Sequence, residues 1–110
     1  MRIPILTTFA LIPRVLMLCA APALAHYPFC TCEADGDEIT CTGGFSDGSS
    51  AQGVTLDVIS YDEEVLVPGK FGEESRVSFP APEGEFYILF DAGPGHVLEV
   101  DYPDIEGFSR

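Results

Sequence analysis

The chain predicts a small all-β protein, a seven-stranded antiparallel β-sandwich that follows a cleaved signal peptide. Three features carry that reading. Short runs of alternating apolar and polar residues fill the region after residue 25. Clusters of Gly, Pro, Asp and Ser separate those runs, and no stretch among them repeats with helical periodicity.

Residues 1–25 read as a secretory leader. Arg2 and Arg14 precede the apolar run Val15-Leu16-Met17-Leu18-Cys19-Ala20-Ala21, which is too short to cross a membrane. Ala23-Leu24-Ala25 is a small-x-small processing site, and cleavage after Ala25 makes His26 the first residue of the exported chain. Cys19 is not expected to be a lipoprotein site, because Leu18 before it is bulkier than such a site wants. A single domain over residues 26–110 is expected, about 85 residues long, with a modest core and a periplasmic or secreted location. Once Arg2 and Arg14 are gone, three basic residues face eighteen acidic ones, about fifteen net negative charges. Such a surface repels nucleic acid and anionic lipid and attracts cations or a basic partner.

In chain order, residues 29–34 and 37–41 flank Asp35-Gly36, a dipeptide suited to a tight hairpin turn. With those two residues as the turn, Cys30 faces Cys41 and Cys32 faces Ile39. A longer turn pairs Cys32 with Cys41 instead. Either way Cys30 and Cys32 share a face, with Cys41 beside them. Residues 42–53, rich in Gly and Ser, read as a crossing loop. Residues 54–61 alternate, with Val54, Leu56 and Val58 inward, and a short strand follows over 65–67. Pro68-Gly69 ends that strand, and residues 76–79 form the next, with Val77 and Phe79 on one face. Residues 86–90 are the most apolar strand, with Phe86, Ile88 and Phe90 on one side. Asp91 to His96 breaks the chain before the last strand, 97–101. The tail after residue 101 reads as loose, with Ile105 and Phe108 as anchors.

Because antiparallel strands alternate in direction, the end at which each connection lies can be counted without knowing the strand order. His26, the segment after Cys41 and the loop of residues 91–96 fall at one end. Both histidines therefore belong there, with Asp91, Asp47 and Cys41 as company. A terminal histidine offers its α-amine and its imidazole as a chelate, and a second imidazole makes the pair resemble a histidine brace, which holds Cu(II) in a tetragonal plane. Ni(II), Co(II) and Zn(II) accept the same nitrogens with carboxylate or thiolate. The candidate metal ligands are thus His26, His96, Asp91 and Asp47. The blander alternative is that His26 marks only where the peptidase cut and His96 caps a loop.

Cys30, Cys32 and Cys41 are an odd number of thiols in an oxidising compartment. A disulfide from Cys30 or Cys32 to Cys41 is the first expectation and a thiolate metal site the second. Zinc-finger spacing is absent.

The runs Gly43-Gly44-Phe45-Ser46-Asp47-Gly48, Ala51-Gln52-Gly53-Val54-Thr55-Leu56-Asp57-Val58 and Glu83-Gly84-Glu85-Phe86-Tyr87-Ile88, together with residues 69–79, resemble the prealbumin-like β-sandwich of carboxypeptidase regulatory-like domains. The segment Asp91-Ala92-Gly93-Pro94-Gly95-His96, behind a leader and an N-terminal histidine, is similar to small periplasmic accessory components of cobalt and nickel uptake systems. The first resemblance implies a prealbumin-like or Ig-like sandwich. The second implies binding of a divalent transition metal (Ni, Co or Cu) as an accessory to its uptake or handling, with a membrane metal-uptake permease as partner. Neither a nucleic-acid partner nor stable membrane insertion after processing is expected. The chain shows no Ser/His/Asp nucleophile motif and no nucleotide-binding glycine loop, and it is not expected to be an enzyme. A structural or protein-interaction sandwich without a metal site is the alternative. A small histidine-brace copper oxidoreductase ranks third, since about 85 residues leave little room for a broad substrate face.

Overall fold

The computed structural model describes residues 27–109. The expected leader, its cleavage site and His26 lie outside the described residues.

Two antiparallel sheets enclose one core. The strands are β1 (Pro28–Asp35), β2 (Glu38–Phe45), β3 (Thr55–Ser60), β4 (Val65–Val67), β5 (Arg76–Pro80), β6 (Phe86–Asp91) and β7 (Val97–Asp101), and a short 3-10 turn (Tyr102–Asp104) follows. One sheet has the order β1-β2-β5 and the other β4-β3-β6-β7. Alternation along β6 buries Phe86, Ile88 and Phe90 completely, and β3 contributes Leu56 and Val58 from the same sheet. From the opposite sheet come Ile39, Cys41 and Phe79. Phe90 sits edge-on to Phe45 and Phe71, with ring centroids 5.9 and 5.6 Å away. Burying each such side chain stabilises the fold by about 1.5–3 kcal/mol. A domain of this size depends on all of them.

The hairpin differs from the expected one. Cys32 pairs with Cys41, Ala34 with Ile39 and Asp35 with Glu38, so the two turn residues are Gly36 and Asp37. Gly36 alone takes a positive φ, 64°, which fits a tight turn of the II′ kind, with Gly at its first central position. The pairing of Cys32 with Cys41 that a longer turn would give is reached by sliding the turn one residue along the chain. Both registers keep Cys30, Cys32 and Ala34 on the inner face, so side-chain alternation does not choose between them. The observed one carries the ladder up to Pro28 opposite Phe45.

Residues 42–45, expected to open the crossing loop, are strand instead. β2 runs on through Gly43-Gly44-Phe45, because the glycines admit aromatic rings: a Cβ on Gly43 would lie 2.8 Å from Phe71 Cζ, and one on Gly44 2.8 Å from Phe29 Cζ. Glycine inside a strand here marks close approach rather than a break.

The tail is anchored. Ile105 is buried, and the Phe108 ring packs 5.7 Å from that of Phe86. The Ala34 N–H donates to Glu106 O at 2.8 Å, and the Glu106 N–H donates to Cys32 O at 3.1 Å. The tail thereby covers the outer edge of β1, which would otherwise expose unpaired backbone groups.

Candidate metal sites: the histidine end and the cysteine cluster

The chain enters the sandwich through a two-way backbone clamp. The Tyr27 N–H donates to Ser46 Oγ at 2.9 Å, and the Ser46 N–H donates to Tyr27 O at 2.8 Å. Position 27 is therefore held beside the turn that follows β2. Phe45, one residue before that turn, meets the His96 ring edge-on at 6.4 Å, and a shallow pocket between them is lined by Phe45, Ser49, Ala92 and His96. His96 Nδ1 lies 3.2 Å from Pro94 O. With Nδ1 donating to that carbonyl, Nε2 carries the lone pair, the arrangement usual in metal-bound histidines.

The two expected carboxylates shape their own loops. Asp47 Oδ1 accepts from the Ser49 N–H at 2.9 Å and from the Ser49 hydroxyl at 2.6 Å, and Asp91 Oδ1 accepts from the Gly93 N–H at 2.9 Å. These are the side-chain turns that Asp favours in loops. Asp47 and His96 lie in the two loops of the end to which strand counting assigned them and Asp91 closes β6 there, but the three are not gathered into one three-ligand group among the described residues. Cys41 is not their companion: it is fully buried and bonded to Cys32.

The described residues do contain one convergent group of three metal-ligating side chains, Cys30, Cys32 and Cys41, whose sulfurs lie within 4.8 Å of one another. Cys32 and Cys41 form a disulfide, and their Cα atoms are 4.0 Å apart across the β1–β2 ladder. Cys30 remains a free thiol, its Sγ 3.9 Å from Cys32 Sγ. Burial pushes that thiol up from the ordinary 9.0 to about 11, because a thiolate there loses its hydration. It is a neutral thiol at neutral pH.

Cys30 and Cys32 form part of the wall of a groove between β1, β7 and the tail. Its other lining residues are Thr31, Glu99, Val100, Asp104 and Glu106. Three carboxylates and no basic side chain line it, so the groove favours cations. Sequence reasoning missed this wall, because Glu99, Asp104 and Glu106 are about 70 residues from the thiols along the chain; the packing of β7 against β1 brings Glu99 there and the docking of the tail brings Asp104 and Glu106. The available signal was Ile105 and Phe108, two apolar anchors set among acidic residues.

The chain matches no protein-family model, no curated protein and no solved structure. Among the described residues, no helix is long and apolar enough to cross a membrane.

Proposed function

We propose that this is an exported transition-metal-binding accessory protein, built on a prealbumin-like sandwich of seven strands. It takes part in handling or uptake of cobalt, nickel or copper outside the cytoplasm. The observation that carries the reading is the Tyr27–Ser46 clamp. It fixes the residue after His26 beside the loop of Asp47, while Phe45 joins that loop to His96. An α-amine and imidazole starting at position 26 would have at most one residue of free chain between them and this end. The acidic surface supports the reading by raising the local cation concentration.

The geometry favours binding over catalysis. The pocket at His96 is shallow and has four lining residues, which offers a bound substrate little surface. A membrane metal-uptake permease is the partner this function needs.

A second reading, a protein-interaction sandwich without a metal, has its own support. Val65 and Leu66 on the edge strand β4 are exposed, and a short apolar edge can accept a partner strand. Calorimetric titration of the mature protein with Ni(II), Co(II) and Cu(II) separates the two. Binding of one equivalent that His96→Ala weakens supports the metal function. Affinity no greater than that of an unrelated acidic protein leaves the interaction module.

A further inference from the structure

We infer that Cys30, Cys32 and Cys41 form a second metal site, gated by the Cys32–Cys41 disulfide, which when reduced takes a thiophilic d10 cation, Cu(I) or Zn(II), on three thiolates, those of Cys30 and Cys32 in the wall of the carboxylate-lined groove and that of Cys41 buried behind them. This site is separate from the histidine end and does not depend on it.

The geometry is close to what such an ion needs. Sulfurs about 2.3 Å from a shared ion sit about 3.8–4.0 Å from each other in tetrahedral or trigonal arrangement. Cys30 Sγ and Cys32 Sγ are 3.9 Å apart, and all three sulfurs fall within 4.8 Å. Cys32 and Cys41, now bonded, have to separate by side-chain rotation alone, since the strand pairing already holds their backbones.

Cys30 has no other evident role. It is half-buried in a strand whose inner face is otherwise filled by Cys32 and Ala34, and a small apolar residue would pack there equally well. A Cys30–Cys32 bridge is disfavoured, because Cα atoms two residues apart on a strand are about 6.5–7 Å from one another, at the limit that a disulfide spans.

The gating step needs an external dithiol reductant. One of its thiolates attacks Cys32 Sγ, which faces the groove, while Cys41 is sealed in the core. The Cys32–Cys41 bond breaks, Cys41 leaves with the electron pair and takes a proton, and the second thiol of the reductant then displaces Cys32. The reductant ends as a disulfide and the protein holds three thiols. Metal binding releases their protons to solvent. Glu99, Asp104 and Glu106 draw the cation in.

The test uses the mature chain, reduced with a phosphine, freed of it without oxygen, and titrated with Cu(I) against bicinchoninate and with Zn(II) against a chromophoric chelator. The expected result is one equivalent of at least one ion bound by the reduced protein, about 100-fold more tightly than by the oxidised protein, and weakened at least about tenfold by Cys30→Ser. His96→Ala leaves this binding unchanged, which separates it from the histidine end. Equal affinity of reduced wild type and reduced Cys30→Ser overturns the inference. So does a reduced chain whose far-UV circular dichroism is lost and does not return when either ion is added.

Discussion

Cys32 on β1 stands directly opposite Cys41 on β2, and their sulfurs are bonded across the ladder while Cys30, one inward position up the same strand, keeps its thiol. The bridge closes a loop with a sequence separation of 9. Restricting a loop of that size in the unfolded chain is worth about 2–3 kcal/mol. The double variant Cys32→Ala/Cys41→Ala should lose about that much in urea unfolding, and Cys30→Ala should lose about 1 kcal/mol or less. Equal losses would show that the bridge is not what distinguishes the three cysteines.

The paired glycines of β2 should respond differently to alanine. At Gly43 the new Cβ meets Phe71, a ring held in the core at 2% exposure and packed on Phe90. At Gly44 it meets Phe29, which is 47% exposed and free to swing outward. Gly43→Ala should cost about 1–3 kcal/mol, as overpacking does, and Gly44→Ala clearly less. Thermal melts of the two variants check the order, and the reverse order would contradict the packing at these positions.

The Cys30 thiol should be slow toward alkylating reagents at neutral pH. Its rate with iodoacetamide should climb until about pH 11, where the thiol ionises in the folded protein. The fold favours the neutral thiol, so its contribution to stability is fully present below about pH 9 and is lost as pH rises from 9.0 through about 11. Alkylation that levels off near pH 9 would mean that Cys30 is not desolvated.

The N-terminus is the most direct handle on the proposed function. An extra Gly before His26 turns the α-amine into an amide nitrogen, a far poorer ligand, and should weaken Cu(II) or Ni(II) binding by at least about tenfold with the melting temperature unchanged. Ser46→Ala removes the acceptor of the Tyr27 N–H and should weaken binding by a smaller factor, since it loosens the position of His26 without touching a ligand. The native exported protein should begin at His26 by N-terminal sequencing. Equal metal affinity for the extended and authentic chains would remove the amine from the site.

Local pattern was enough to find every strand to within a few residues, because each has an alternating apolar face and a glycine, proline or acidic turn on either side. The face that each strand buries followed from the same alternation: Phe86, Ile88 and Phe90 were legible as core before any fold was known. So was the meeting of the turn after β2 with the loop before β7 at one end, seen in the contact of Phe45 with His96, which depends only on strands reversing direction. Local pattern did not decide the hairpin register, since sliding β1 by two residues against β2 leaves the same side chains inside; the ladder to Phe45 and the pairing of β2 with β5 settle it. Nor did it decide the role of Gly43 and Gly44, which composition alone assigns to a loop and which pair with Cys30 and Phe29 in the β1–β2 ladder, with the Phe71 and Phe29 rings lying where their side chains would stand. The wall of carboxylates beside the thiols was the least legible of all. It exists because Ile105 and Phe108 find the core and draw Asp104 and Glu106 against β1, a contact between the two ends of the domain that no local periodicity encodes.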